Sequence, residues 1–230
     1  LTVLDHVSFG VPRGRALCVL GRSGTGKSVL IKQLIGLIKP DSGHIYVEQE
    51  EITSLPAGEL ARVRKRMGFL FQYSALFDSI SVGENVAFPL RRHSGLSEAE
   101  IGSRVEEKLK RVGLEGTQDK MPSEISGGMR KRVGLARALA LAPPILLADE
   151  PSSGLDPVTS REIDELFLDL KHTEGVTMVV VTHNIPSARR IGDELAVLHQ
   201  GRILASGSAA QLEQSEHPLV RNFMKSEGAI

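Results

Sequence analysis

The sequence contains one cysteine, Cys18, and no tryptophan among its 230 residues. A single cysteine forbids a disulfide within the chain and fits a reducing compartment. Lysine and arginine number 28, as do aspartate and glutamate, so the formal net charge is zero and we expect no strong field for nucleic acid. No apolar run approaches the roughly 20 residues that span a bilayer. The chain is 41% hydrophobic, enough to bury one large core or a core with a small subdomain.

A complete phosphate-loop motif, G-x-x-x-x-G-K-S, occupies residues 21–28. An apolar run of strand length precedes it, and apolar residues at helical spacing follow it from Val29 to Ile38. The glycines let the backbone approach phosphates closely, and the helix start adds partial positive charge. Lys27 is predicted to reach the β- and γ-phosphates, and the Ser28 hydroxyl to ligate Mg²⁺. The predicted phosphate-binding residues are Gly21, Arg22, Ser23, Gly24, Thr25, Gly26, Lys27 and Ser28.

Two acidic residues follow a second apolar run. Residues 145–148 are predicted to form a buried parallel strand, which Asp149 and Glu150 follow directly. Ligands of open α/β sheets bind at the carboxyl ends of the strands. We therefore expect Asp149 to hold Mg²⁺ through water and Glu150 to polarise the attacking water as general base.

Two further polar residues follow predicted strands in the same way. His183 comes after the run 176–181 and is expected at the same sheet edge, where it could contact the γ-phosphate. A histidine after a strand is, taken alone, more often a packed or solvated residue, so its assignment depends on the motifs around it. Gln72 follows the short run 68–71 and could give the metal a neutral oxygen ligand, the alternative being a surface glutamine.

A second helix start with a phosphate-binding character lies at residues 125–132. Ser126 is a predicted N-cap, Gly127 and Gly128 follow it, and apolar residues then recur at helical spacing. This string resembles the LSGGQ signature of ATP-binding cassette (ABC) ATPases, with Ile125 in place of leucine and Met129 where glutamine is commoner. The resemblance implies a head-to-tail dimer in which residues 126–129 of one copy cap the nucleotide held by the phosphate loop of the other.

Other elements of that family match in order along nearly the whole chain. Gln72 lies at the position of the Q-loop, Asp156 in Ser-Gly-Leu-Asp at the D-loop, and His183 at the switch histidine. The resemblance implies an ATPase that uses ATP and Mg²⁺, with Lys27, Glu150 and His183 as its catalytic residues. It also implies an α/β fold: the RecA-like, mostly parallel sheet of P-loop NTPases with flanking helices and an inserted ABC α-helical subdomain.

Other nucleotide-binding classes fit less well. The sequence has no N-K-x-D string for reading guanine, which argues against a GTPase. A chromosome-type ATPase needs a long heptad insert between the phosphate loop and the signature, and this sequence has no sustained heptads there. DNA-repair relatives carry zinc modules, which a single cysteine cannot build. The basic run 62–66 is interpreted as a solvated helix face.

The expected domain organisation follows the motifs. Residues 1–72 and 144–205 are predicted to form the nucleotide-binding core, residues 73–143 the helical subdomain with the signature, and residues 206–230 a tail. Because the chain starts at Leu1 inside a predicted strand, we expect the core to lack its first strand and assign no adenine-stacking residue. Apolar residues of the tail at helical spacing, such as Val220 and Met224, indicate either a docking helix for a partner or a helix folded onto its own domain.

Local sequence similarities indicate what the transporter moves. The stretch 71–90, Met129 in the signature and the tail segment 217–223 resemble the ATPases of Mla/MCE-type lipid transport systems, although Tyr73 stands where a small residue is more usual. In ABC transporters the region after the Q-loop receives a helix of the membrane permease; the alternative is that its apolar residues are core. The resemblance implies a phospholipid transporter that maintains outer-membrane lipid asymmetry, with this subunit at the cytoplasmic face of the bacterial inner membrane.

The expected partners are a second copy of the chain, an integral membrane permease, and MCE-type lipid-binding and small regulatory subunits, but no nucleic acid. Two alternatives stay open at this point. One is an ABC ATPase for a polar solute such as an amino acid. The other is a soluble ABC protein without a permease, against which the neutral charge and the single cassette argue.

Overall fold

The computed structural model describes residues 2–226, which fold around one mostly parallel sheet. The strands are β1 (Ala16–Leu20), β2 (Tyr46–Val47), β3 (Glu50–Glu51), β4 (Met67–Leu70), β5 (Ile145–Asp149), β6 (Thr177–Thr182), β7 (Glu194–His199) and β8 (Arg202–Gly207). Six of them form a sheet in the order β4-β5-β6-β1-β7-β8, and β2 pairs with β3 in a separate hairpin. All neighbours in the large sheet run parallel except β7 and β8. The predicted α/β class with a mostly parallel sheet is confirmed.

Helices cover both faces of this sheet. They are α1 (Lys27–Leu34), α2 (Ala57–Arg64), α3 (Val82–His93), α4 (Glu98–Arg111), α5 (Gly127–Ala138), α6 (Pro157–Glu174), α7 (Ile185–Ile191), α8 (Ala209–Glu213) and α9 (Pro218–Lys225). Successive side chains of a strand point to opposite faces, so Cys18 of β1 joins the apolar cluster with α3 to α7, whereas Val19 joins the cluster with α1 and α2. Burial on both faces explains why the central strands are continuous apolar runs.

The parallel arrangement brings functional loops to one edge of the sheet. Strand β1 lies between β6 and β7, and β5 lies between β4 and β6. The loops that follow β1, β4, β5 and β6 therefore all leave from the carboxyl ends of neighbouring strands. These loops carry the phosphate loop, Gln72, Asp149 with Glu150, and His183.

Helix α1 is shorter than its apolar pattern predicts. Apolar residues recur to Ile38, but the helix ends at Leu34 because Gly36 takes a positive φ of 70°. The N–H of Leu37 donates to the carbonyl of Lys32 at 2.8 Å, and that of Gly36 to the carbonyl of Gln33 at 2.8 Å. This pair of hydrogen bonds is the Schellman termination that glycine favours.

Helices α3, α4 and α5 lie between β4 and β5 in the chain and pack on one another. Helix α4 begins with a capping box: the Ser97 hydroxyl accepts from the N–H of Glu100, whose carboxylate accepts from the N–H of Ser97. In the tail, Val220 and Met224 of α9 are buried in the main apolar cluster. Of the two alternatives for this segment, the structure supports a helix folded onto its own domain. No helix within residues 2–226 is both long and apolar enough to cross a membrane.

Candidate nucleotide-binding site

The phosphate loop connects the end of β1 to the start of α1. Gly24 and Gly26 have φ values of 81° and 103°, a region that suits glycine and strains other residues. A Cβ on Gly21 would lie 2.6 Å from the carbonyl oxygen of Leu198, so the loop also needs glycine for close approach. No side chain caps the start of α1 within the described residues. Its first N–H groups are therefore available to bind an anion.

Lys27 lies at the first position of α1 and is buried. Its Nζ donates to the carbonyl oxygens of Gly21 at 2.6 Å and Arg22 at 3.0 Å. The same ammonium lies 3.4 Å from Oε1 of Glu150. A fixed positive charge thus lies between the phosphate loop and the acidic residues that follow β5.

Ser28 and Asp149 form the oxygen pair of the site. The Ser28 hydroxyl donates to Oδ1 of Asp149 at 3.3 Å. Burial raises the pKa of Asp149, and the hydrogen bond from Ser28 and the charges of Lys32 and Lys27 oppose this rise only in part. A cation beside this carboxylate would relieve the cost of its burial.

The donor set fits a magnesium ion. Within residues 2–226, no group of three or more His, Cys, Asp or Glu is arranged to hold a metal. One hydroxyl and one carboxylate instead match an ion that keeps several waters and binds phosphate oxygens, as Mg²⁺ does. Gln72, which follows β4, is half-buried and is the third residue for which the sequence predicts this role.

Glu150 is held on both of its carboxylate oxygens. Oε2 accepts from the Thr182 hydroxyl at 3.0 Å and from the backbone N–H of His183 at 3.2 Å, and it lies 2.9 Å from Nδ1 of the His183 ring. The carboxylate is buried, whereas the His183 side chain remains 53% exposed. The geometry therefore joins Lys27, Glu150 and His183, which the sequence predicts as catalytic residues.

Sequence reasoning did not single out Lys131, a buried lysine of α5 that reaches the same region. Its Nζ donates to the backbone carbonyl of Gln72 and, at 3.2 Å, to that of Glu150. In the sequence it lies between Arg130 and Arg132, where a basic residue is typical of a solvated face. Only its position beside the buried residues of α5 could have drawn attention to it.

The signature residues lie at the start of α5. The Ser126 hydroxyl accepts from the N–H of Met129 at 3.2 Å, and both Ser126 and Gly127 are exposed. A Cβ on Gly128 would lie 2.6 Å from Cγ2 of Thr159, so the start of α6 packs directly on this glycine. Among residues 2–226, no hydrogen bond or ion pair joins residues 126–129 to the phosphate loop of the same chain.

Asp156 caps the start of α6 in this structure. Its Oδ1 accepts from the N–H groups of Val158 and Thr159, each at 3.0 Å, and its Oδ2 from the Thr159 hydroxyl at 2.6 Å. These hydrogen bonds lower the pKa of Asp156, with that from the Thr159 hydroxyl the largest effect. The residue is the N-cap of α6, at the exposed end of the loop that follows Glu150.

Comparison with known proteins gives consistent matches. The ABC transporter family model matches residues 4–153. The probable ribonucleotide transport ATP-binding protein mkl of Mycobacterium leprae is 45% identical over 222 residues, which are 96% of this chain and 64% of the mycobacterial protein. The intermembrane phospholipid transport system ATP-binding protein MlaF of Escherichia coli K12 is 43% identical over 222 residues, 96% of this chain and 82% of MlaF.

A solved structure matches the fold over most of its length. It is the dimeric post-hydrolysis state of the ATP-binding cassette MJ0796 bound to ADP and Pi. The TM-score is 0.84 at 35% sequence identity, and the match covers 90% of each chain.

Proposed function

This chain belongs to the ABC transporter family. We propose that it is the ATP-hydrolysing subunit of a transporter that moves phospholipid. The observation that carries the catalytic part is the placement of the Glu150 carboxylate between Lys27 and His183 at the phosphate loop. Phospholipid as the cargo is supported by the similarity to MlaF and by the sequence of residues 71–90, which resembles that of Mla/MCE-type ATPases.

We assign the phosphates of ATP to the backbone N–H groups of the phosphate loop and to Lys27. Ser28, Asp149 and Gln72 would hold Mg²⁺, which neutralises charge on the phosphate oxygens when bound. Glu150 would accept a proton from the water that attacks the γ-phosphate. His183 would keep the Glu150 carboxylate in orientation, because its ring and its N–H both contact Oε2.

The proposed active unit is a head-to-tail dimer. In it, residues 126–129 of one copy, together with the loop that contains Asp156, face the nucleotide of the other. The exposed start of α5 supports this arrangement, as does the dimeric, ADP-bound state of the solved relative. Two nucleotides would then lie between the copies, and hydrolysis would let the copies separate.

We further propose that a permease helix docks beside α3. A groove of about 500 Å³ is lined by Phe77, Ile80, Phe88 and neighbouring charged residues, among them Arg91. Phe77 and Phe88 are each 44% exposed, with ring centroids 4.9 Å apart. Val82 and Leu90 are buried, so the apolar residues of this region serve both core and surface. Exposed aromatic rings beside the loop of Gln72 are suited to pass movement to a partner.

The division of the chain remains part of the proposal. Residues 1–72 and 144–205 would form the catalytic core, residues 73–143 the arm that carries the signature and the groove, and residues 206–230 the tail. The subunit would bind peripherally at the cytoplasmic face of the inner membrane through its permease, with MCE-type and small regulatory subunits in the same complex. Maintaining the lipid asymmetry of the outer membrane would be the result of this transport.

A polar solute is the second candidate cargo, since the relative mkl is named for ribonucleotide transport. The chain spans 64% of the length of that relative. A soluble, DNA-associated role has less support, because Arg62 and Arg66 of the basic run pair with Glu48 and Glu50.

The deciding experiment isolates the full-length protein in detergent with its membrane partners. Phospholipid identified in the complex by mass spectrometry, together with ATP-dependent transfer of labelled phospholipid between vesicles, would support lipid transport. ATP-dependent uptake of a labelled ribonucleotide without lipid transfer would favour the polar solute. A Glu150→Gln complex serves as the control, because transfer driven by hydrolysis must stop in it.

A further inference from the structure

Lys131 is a buried cation whose polar partners are backbone carbonyls. Its residue is only 6% exposed, and no carboxylate of the described chain lies within ion-pair distance of its Nζ. A buried ammonium is unfavourable unless its environment compensates for the lost water. Burial lowers the pKa of Lys131, and the charges of Glu150 and Asp149 oppose that lowering. A lysine at this position therefore calls for an explanation beyond packing.

The two carbonyls belong to loops that follow adjacent strands. Gln72 follows β4 and Glu150 follows β5, and these strands pair in parallel with Leu70 opposite Ala148. The ammonium that donates to both carbonyls comes from a third element, helix α5. One side chain thus joins the backbone at Gln72 to the backbone at Glu150.

The backbone at these loops is strained. Glu150 has a φ of 49°, Ser74 of 61° and Ala75 of 48°, values that are uncommon for residues other than glycine. Such conformations persist where surrounding contacts hold them, and they are frequent at functional sites. The hydrogen bond from Lys131 supports the strained turn at Glu150.

A second basic residue of the same helix holds the rest of the Gln72 loop. Arg137 donates through Nη2 to the carbonyl of Ser74 at 2.6 Å and through Nη1 to that of Ala75 at 2.9 Å. Between Lys131 and Arg137 the helix carries Gly134, where a Cβ would lie 3.0 Å from Cβ of Ser74. Helix α5 therefore approaches residues 72–75 closely, and its Lys131 and Arg137 bind backbone carbonyls at both ends of that segment.

We propose that Lys131 is a positioning residue for ATP hydrolysis, holding the backbone of Gln72 against that of Glu150 so that both side chains meet the same nucleotide. The proposal rests on the roles assigned above to Gln72 and Glu150. Helix α5 also begins with the signature residues. If the nucleotide bound by a second copy displaced that helix, Lys131 would move with it and shift the backbone at Gln72 and Glu150.

The test compares Lys131→Met and Lys131→Arg in the full-length protein. Lys131→Met removes the donors, and we expect kcat to fall by about tenfold or more, as for other residues that orient catalytic groups, with little change in the KM for ATP. Lys131→Arg keeps a cation with several donors and should recover most of the loss. An arginine variant that folds but stays as slow as the methionine variant would contradict the proposal.

Lys171 provides a control for the loss of a buried lysine away from the site. It is 9% exposed, its Nζ donates to the backbone carbonyl of Ile191 at 2.9 Å, and it also pairs with the Asp193 carboxylate at 3.3 Å. Lys171→Met should lower the melting temperature but leave kcat per folded molecule unchanged. A kcat loss in Lys131→Met no greater than in Lys171→Met would overturn the positioning role.

Hydrogen exchange separates this inference from the proposed function. Amides of residues 72–77 and 149–153 should exchange faster in Lys131→Met than in the wild type or in Lys171→Met, because the tie between the two loops is lost. Unchanged exchange in both segments would overturn the proposal. Glu150→Gln is assayed alongside. If that variant hydrolysed ATP at the normal rate, the role assigned to Glu150 would be wrong. The exchange result would still show whether Lys131 holds the two loops together.

Discussion

Nδ1 of His183 lies 2.9 Å from Oε2 of Glu150, while Oε1 of the same carboxylate faces Nζ of Lys27. The His183 ring is thus one of the contacts that orient the buried carboxylate, together with Thr182 and Lys27. His183→Ala should lower kcat by about ten- to a hundredfold, because Glu150 loses a contact that orients it, and should leave ATP affinity nearly unchanged. Steady-state kinetics and equilibrium nucleotide binding measure the two effects. His183→Gln keeps a donor and should retain part of the activity; full activity in His183→Ala would exclude the orienting role.

Glu150→Gln should separate binding from hydrolysis. The amide oxygen can still accept from Thr182 and His183, so the turn is preserved, but the group can no longer take a proton. We expect kcat to fall by about 10²- to 10⁴-fold and a dimer to accumulate with ATP. Size-exclusion chromatography with ATP measures the second effect, with Glu165→Gln on the exposed face of α6 as control. A Glu150→Gln protein that binds ATP but remains monomeric would refute the shared nucleotide site.

Ser126→Arg, introduced into the Glu150→Gln protein, should abolish the ATP-dependent dimer. Ser126 is exposed at the start of α5 and, among residues 2–226, makes no hydrogen bond to its own phosphate loop, so we expect a bulky cation there to obstruct a second copy. ATP binding by the monomer should remain within about twofold of the parent. Elution volume and nucleotide binding are measured on the same sample. A variant that still dimerises would show that the signature lies outside the contact between copies.

Much of the sheet could be predicted from apolar runs. The apolar runs 145–148 and 176–181 predict buried strands, because both faces of a parallel strand are covered, and the structure has strands at Ile145–Asp149 and Thr177–Thr182. The position of β1 between β6 and β7 could not be predicted in this way, since it depends on pairings between residues far apart in the chain. The end of α1 at Leu34 was missed because apolar spacing continues past Gly36, whose positive φ stops the helix.

The site was more predictable than the contacts that support it. Glycine spacing and acidic residues after a strand indicate a phosphate site because few other arrangements need them. Lys131 and Arg137, in contrast, resemble solvated basic residues in the sequence. Their value depends on carbonyls of residues 72–75 and 150, which only the folded chain brings to α5.

Phe88→Asp should uncouple the subunit from its permease. Phe88 is 44% exposed and its ring lies at a tilt beside that of Phe77 in the groove beside α3, so a charge there disrupts an apolar contact without opening the core. We expect the ATPase rate of the isolated subunit to be unchanged and its association with the permease to weaken by about tenfold or more, as at interface anchors. Pull-down from detergent measures the association. Tyr46→Asp, 61% exposed on β2, is the control and should bind normally; equal binding by both variants would place the permease elsewhere.

Cys18 should make the protein sensitive to alkali. The thiol is fully buried in β1, and burial raises its pKa from 9.0 to about 12. Between these values the unfolded chain loses the proton and the folded chain keeps it, so the unfolded state binds fewer protons and stability falls as the pH rises. From pH 9 to pH 10 this amounts to about 1 kcal/mol of unfolding free energy, and below pH 8 the contribution is constant.

Cys18→Ala tests this expectation through a slope. The substitution leaves a small cavity and lowers stability at every pH, but it removes the titrating group, so its unfolding free energy should decline less between pH 9 and pH 10 than that of the wild type. Urea unfolding at a series of pH values measures the difference, and lysines and tyrosines that titrate in the same range contribute equally to both proteins. Parallel curves would mean that the thiol ionises in the folded chain, in which case it should also react with a maleimide at pH 9 without prior unfolding.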